Sequence, residues 1–368
     1  MVLQLSAEEA RRMRWRSQLL GGSDLTPAEV LTRAVALQGQ DLPAVLRAIA
    51  IRSRPGTTVA DVRTAFDDGA LVRGWPMRGT LFATTPENLA ALLTFTAERI
   101  HRSTIRRREE LGLDDRTVAR ARDILLAALE ERPLRRSQAL ALWETAGIPT
   151  AGGPGYHLLM HLSVAGDAHW GAFAPNGTEQ LLTLSPLLPP ADPDAALAGI
   201  VRGFVLARGP VTEGDLAWWT KLPRAGLRRA AAAVEDLVEV EMEGRTAWII
   251  GEAQDSGSVG DPQEGAESTE EKSGGTATGV VLLPGFDEWI LGYADRSLVA
   301  SGAMLDALVP GRNGVFRPVV LVDGVVVGTW RLPRTPRGRT EPVIELVENV
   351  PAATQRAIEQ AVQAWPHR

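Results

Sequence analysis

Apolar residues recur at helical spacing in short runs along this chain, each opened by a hydroxyl or acid and closed by glycine or proline. Ser6 to Leu20 begins with a capping serine and acids in its first turn and stops at Gly21-Gly22, which predicts a helix. Thr26-Pro27 predicts a second helix through Val30, Ala34 and Leu37. Asp41-Leu42-Pro43 caps a third, with Leu46, Ile49 and Ala50 on its apolar face. Gln38-Gly39-Gln40 is thereby placed in the corner of a helix-turn-helix. Thr58 opens a short helix ending at Gly69, and Leu71 to Ala83 reads as two strands around a turn. Helices followed by a small hairpin describe a winged helix.

The same order recurs twice. From Arg116 to Trp170, a helix through Ile124 and Leu129 leads to Ser137–Trp143, then Gly155–Leu162, then a short strand near His169-Trp170. From Ala195 to Ile250, the helix Ile200–Leu206 leads to Gly209–Trp219 and then to a recognition-type helix bearing Arg224, Arg228 and Arg229. Strands Val238–Met242 and Thr246–Ile250 then turn at Glu243-Gly244. The expected fold is α+β and mainly helical, with three tandem winged-helix units at 1–113, 114–190 and 191–252 and a β-rich C-terminal portion at 280–368. That portion opens with Val280–Leu283. It continues with a hairpin around Asp323-Gly324, a strand near 342–347 and a closing helix from Pro351 to Trp365. Between them, 253–279 is rich in Gly, Ser, Glu and Asp with scarcely an apolar residue, which predicts a disordered acidic loop.

Composition narrows the chemistry. A chain of 368 residues, 45% apolar, suggests two or three soluble domains. No apolar run approaches the roughly 20 residues of a membrane span, and the charged start lacks the apolar core of a secretory signal, so a cytoplasmic location is expected. The absence of cysteine excludes disulfides, thiolate nucleophiles and cysteine-ligated metal. His157 and His161 share a helix face without an HExxH pattern, which favours packing over metal binding; neither metal nor cofactor is expected.

The net charge of −6 hides an uneven distribution. Residues 253–278 hold six acids and one lysine, whereas residues 1–136 hold 22 arginines against 17 acids, and 312–339 hold six arginines against Asp323. Such basic stretches permit phosphate binding. Phosphate-cradling glycine loops, GxSxG and zinc motifs are all absent from the sequence, and the pairs Asp67-Asp68 and Asp114-Asp115 fall where helix caps are needed.

Four motifs in order carry a resemblance. Gln38-Gly39-Gln40, Arg73–Thr80 (RGWPMRGT), Leu282–Glu288 (LLPGFDE) and Leu321–Trp330 (LVDGVVVGTW) together resemble the AlkZ family of bacterial DNA glycosylases, over nearly the whole chain except 253–279. The resemblance implies a C-shaped scaffold of three winged helices around a basic duplex-binding surface. It also implies hydrolysis of N7-alkylpurine glycosidic bonds and unhooking of interstrand crosslinks, with a role in self-resistance to an alkylating natural product such as azinomycin B. The family's catalytic glutamine pair maps onto Gln38 and Gln40; a related branch carries an acid in the second position, and relatives usually have a small or aliphatic residue where this chain has Gly39. The resemblance also implies a β-hairpin that enters the DNA, expected at Val309–Arg317. The DNA-contacting side chains expected are Arg73, Arg78, Arg224, Arg228, Arg229, Arg312, Asn313 and Arg317. The partner that this implies is duplex DNA carrying alkylated or crosslinked purines, expected to be bound by a monomer. The competing reading is a winged-helix transcription regulator without chemistry.

Overall fold

The computed structural model describes residues 2–175, 177–184, 187–251, 279–332 and 342–364, and the Arg312 side chain is not among what it describes. Residues 253–278, the bulk of the expected acidic loop, therefore lie outside the described residues. The chain opens with β1 (Leu3–Leu5) and α1 (Ala7–Ser17). A first run follows: α2 (Pro27–Ala34), β2 (Ala36–Gln38), α3 (Leu42–Arg52), α4 (Val59–Asp67), β3 (Val72–Met77), β4 (Thr80–Thr84) and the long α5 (Pro86–Glu110). The second run comprises α6 (Asp115–Glu131), α7 (Arg136–Thr145), α8 (Pro154–Val164), β5 (Ala168–Phe173) and β6 (Gln180–Leu184). The third comprises α9 (Pro193–Arg208), α10 (Glu213–Thr220), α11 (Arg224–Ala232), β7 (Leu237–Met242) and β8 (Arg245–Ile250). The C-terminal portion adds β9 (Val280–Leu283), α12 (Glu288–Leu291), α13 (Gly302–Leu308), β10 (Val319–Val322), β11 (Val325–Arg331), β12 (Val343–Leu346) and α14 (Ala352–Gln363). None of the described helices is long and apolar enough to cross a membrane.

Local chemistry sets most of these boundaries. Ser6 with Glu9, Thr26 with Glu29, Thr58 with Asp61 and Thr212 with Asp215 close reciprocal capping boxes that satisfy the first orphan N–H groups of α1, α2, α4 and α10. Three hairpins turn on consecutive left-handed residues, Arg78-Gly79 (φ 58° and 67°), Glu243-Gly244 (50° and 73°) and Asp323-Gly324 (48° and 80°). Paired positive φ angles match the twist of the strands they join.

Among the described residues the strands form three sheets, ordered β2-β4-β3-β5-β6, β1-β7-β8 and β12-β11-β10-β9. The hairpins of the first two runs thus meet in one five-stranded sheet through the pair Arg73 and Trp170, and β1 reaches across the chain to lie parallel to β7. Packing crosses the runs in the same way. One apolar cluster unites Val72, Trp75 and Leu89 with Leu125, Trp143 and Leu158, and another unites Val35, Phe82 and Leu92 with Phe204, Trp219 and Tyr293.

Two expectations are corrected here. Helix α2 stops at Ala34, because Val35 adopts φ 65° and turns the chain into β2, where Leu37 faces Ala83 and Gln38 faces Phe82 of β4. Gln38 therefore ends a buried strand, and Gln40 lies two residues beyond it in the bend that leads to α3, instead of both sitting in a helix corner. At Val309–Arg317, no hairpin forms: a single 3-10 turn (Pro310–Arg312) follows α13, Gly311 and Gly314 take positive φ, and the Arg317 N–H donates to the Leu308 carbonyl at 3.0 Å. That bond closes a compact loop, and Pro310 has no N–H to offer a partner strand.

Candidate active site and nucleic-acid interface

As the outer strand of its sheet, β2 presents backbone groups that no strand among the described residues pairs. A buried ion pair takes the place of that missing strand. Arg208, at the end of α9, donates to the carbonyls of Ala34 (3.0 Å) and Ala36 (2.8 Å), and Glu288, at the start of α12, accepts the Gln38 N–H at 3.1 Å. Arg208 and Glu288 bond each other at 2.9–3.0 Å with side chains 1% and 2% exposed, and Trp219 Nε1 donates to the same carboxylate at 3.1 Å. Next to it, Asp287 receives a two-pronged contact from Arg52 at 2.8 and 2.9 Å, and Gln18 Oε1 accepts from the same guanidinium. Charges this deeply buried are tolerable because each is paired with an opposite charge and further hydrogen-bonded.

On that base the two amides have different surroundings. Gln38 is buried; its Oε1 accepts from the N–H groups of Gly39 (3.0 Å) and Gln40 (3.3 Å), and its Nε2 donates to Thr80 Oγ1 at 3.1 Å. Both lone pairs of that oxygen are therefore engaged. Gln40 is exposed, and its Oε1 accepts a single bond, from the Leu81 N–H at 3.3 Å. One lone pair and the NH₂ group of Gln40 remain available. Between them, a Cβ on Gly39 would stand 2.9 Å from Ala83 N and 3.0 Å from the Phe82 carbonyl carbon, so only glycine lets the turn lie flat on β4.

Gln40 opens on a cleft of about 320 Å³, lined also by Arg73, Trp75, Tyr156, Trp170 and Gln180. Trp75 on β3 and Tyr156 on α8 meet edge to face, 5.8 Å apart at 87°, and the Tyr156 ring is 42% exposed.

The arginines expected at DNA fall into two groups. Arg73 is buried instead of lying on an open face: it donates to the Gly39 carbonyl at 2.9 Å, and burial pulls its pKa down to about 10. It braces the turn because β3 runs inside the five-stranded sheet. Arg78 is partly buried as well, stacked 4.1 Å from the Trp218 ring and donating to the Leu291 carbonyl at 3.1 Å, with burial lowering its pKa. Arg224, Arg228 and Arg229 are exposed on α11, the first two sharing Glu213 at 3.7 and 2.7 Å. Asn313 is exposed, its Oδ1 held by the Val315 N–H, and exposed Arg317 lies 4.0 Å from Glu345.

Sequence reasoning assigned no role to Arg52, Arg208, Thr80, Asp287 or Glu288. For the last two a signal existed, since adjacent acids follow an apolar strand in LLPGFDE, a place where unpaired carboxylates are costly. His161 stacks on His101 at 4.2 Å, and burial lowers its pKa to about 4, a packing arrangement.

The family model described as DNA glycosylase AlkZ-like matches residues 31–367. A curated relative, the interstrand DNA cross-link repair glycosylase of Streptomyces sahachiroi, is 29% identical over 145 residues, a match spanning 38% of this chain and 35% of the relative's length. The solved structure of Streptomyces sahachiroi DNA glycosylase AlkZ superposes with a TM-score of 0.76 at 22% identity, covering 98% of this chain and 95% of that one. Because the family model takes in both glutamines, their bracing acids and nearly everything between and beyond them, the chain belongs to the AlkZ-like DNA glycosylase family.

Proposed function

We propose that this protein is a monofunctional glycosylase that hydrolyses the N-glycosidic bond of N7-alkylated purines in duplex DNA and unhooks interstrand crosslinks built on them. The observation that carries this reading is the division of labour between the two amides. Gln38 is buried with both lone pairs of its oxygen engaged and its nitrogen bonded to Thr80, whereas Gln40 keeps an oxygen lone pair and an NH₂ group on a cleft.

The chemistry asks for little more. An N7-alkylguanine is cationic, so the base leaves as a neutral species and needs no strong acid. What remains is to hold a water against the anomeric carbon and to tolerate positive charge on the sugar. Gln40 Oε1 can accept a water hydrogen on its free lone pair, its partial negative charge favours the developing cation, and the Leu81 N–H fixes its direction in advance. Gln38 acts as the positioning residue that holds Gln40.

We further read the three helix–hairpin runs as tandem winged helices in a C-shaped scaffold that binds duplex as a monomer, with Arg224, Arg228 and Arg229 on its phosphate-facing surface. We read the exposed Asn313 and Arg317 of the 309–317 loop as part of the same DNA-facing surface. Resistance to a natural alkylator is a use to which such an activity lends itself. The test is release of 7-methylguanine from methylated duplex by the purified protein. Time-dependent release supports the proposal, and tight binding of duplex without release turns it towards a regulator.

A further inference from the structure

We propose that the cleft beside Gln40 is the seat of the alkylated purine itself, a planar base stacked on Tyr156 and hydrogen-bonded by Trp75, Trp170 and Gln180. This assignment rests on the glycosylase reading above and adds to it where the base goes. Four side chains that line the cleft are at least nine-tenths buried and carry a polar atom with no partner among the described residues: Arg73 Nε, Trp75 Nε1, Trp170 Nε1 and Gln180 Oε1. Buried polar atoms are paired in the great majority of cases, so four unmatched ones around one cleft mark a place where hydrogen bonds await a ligand.

The unmatched set defines the ligand's chemistry. Three N–H donors and one oxygen acceptor complement a flat molecule with acceptors and a donor on its rim. A purine alkylated at N7 loses that acceptor but keeps its other ring and exocyclic acceptors and its N–H donors. The volume, about 320 Å³, lies at the small end of the range for organic ligands, large enough for one base with its substituent. Tyr156 supplies an exposed ring perpendicular to Trp75, so a base stacked on Tyr156 directs its edge toward the indole. The four atoms are closed off from solvent, and entry of a base must therefore move a side chain; Tyr156 is the exposed aromatic of the lining and can do so, beside the exposed Gln40, Arg136 and Glu179.

A consequence separates two substrates. A base attached to one strand can leave the stack and enter the cleft at the cost of its stacking. A crosslinked base is tethered to the opposite strand and cannot. Cleft residues should govern release from monoadducts and leave unhooking largely untouched, whereas Gln40 serves both.

The experiment uses the full chain and free 7-methylguanine as probe, followed by calorimetry, with Tyr156→Ala and Trp170→Phe as variants. Trp170→Phe removes only an unpartnered N–H and part of a ring, so a purely structural role predicts unchanged affinity for the base. We expect saturable binding to the parent protein, weakened about tenfold by each variant. Monoadduct release should fall in parallel, with crosslink unhooking preserved. Absence of saturable binding, or binding unaffected by both variants, overturns the assignment. Should Trp170→Phe fold poorly, the exposed Tyr156→Ala carries the same decision. Because free-base binding requires no catalysis, its outcome is independent of whether Gln40→Ala abolishes base release, which judges the glycosylase reading.

Discussion

The backbone N–H of Gln38 donates to Glu288 Oε1 at 3.1 Å across 250 positions of sequence, so the turn that carries both amides is anchored by the C-terminal portion of the chain. Glu288 does this while neutralising Arg208, which itself holds the carbonyls of Ala34 and Ala36. Glu288→Ala would leave Arg208 buried and unpaired, and we expect a loss of about 3–5 kcal/mol, read as a lower urea midpoint. Glu288→Gln keeps an acceptor for the Gln38 N–H and should be milder. Equal stability of all three proteins would show that the ion pair does not hold the strand.

Gly39→Ala should be harmful although it adds one methyl group. Its Cβ would meet backbone atoms of β4 at 2.9–3.0 Å, and backbone cannot rotate away as a side chain can. A cost of about 1–3 kcal/mol in thermal or urea unfolding is expected, with slower base release because Gln40 is displaced. A fully stable, fully active variant would mean that the turn is looser than its packing indicates.

Glu213 restrains two of the three exposed arginines of α11. Glu213→Gln should free Arg224 and Arg228 and tighten duplex binding at low salt. Alanine at Arg224, Arg228 or Arg229 should weaken it and reduce the slope of log affinity against log salt by about 1 for each phosphate no longer neutralised. Fluorescence anisotropy at several salt concentrations reads both effects. An unchanged slope in every alanine variant would move the DNA-binding face elsewhere.

The helix caps and tight turns are legible in the sequence itself. Thr26, Thr58 and Thr212 each precede an acid by three positions, and Asp323-Gly324 is flanked by apolar strands, so the signal and the structure it specifies lie within a few residues. Strand β2 is hidden because Ala36 and Leu37 extend the helical period of α2, and nothing local announces that Val35 reverses the chain. The loop at 309–317 shows the opposite failure: Pro310, Gly311 and Gly314 mark a turn without saying whether strands flank it. Gln38 and Gln40 could be nominated from their motif. Their unequal hydrogen bonding could not, since it depends on Thr80, Leu81 and Glu288, which only the fold brings together.

Acid should loosen the second run of helices first. Burial holds the pKa of His161 and His169 down to about 4, well below that of an exposed imidazole, so the unfolded chain binds protons that the folded one refuses. The stability these neutral rings contribute is complete above about pH 6.5 and is lost as pH falls from there toward 4. Urea midpoints from pH 8 to pH 4.5 should show that decline, and His169→Leu should flatten part of it. A parent protein equally stable at pH 7 and pH 5 would contradict the assigned burial.

The central claim is that Gln40 holds the attacking water, and single-turnover release of 7-methylguanine from methylated duplex measures it directly. Gln40→Ala should stay folded, bind duplex as the parent does, and release the base on the order of 10²-fold more slowly. Gln40→Asp should fall between the two, since a carboxylate oxygen can hold the same water. Release by Gln40→Ala at the parental rate would contradict the account and place the reacting water elsewhere.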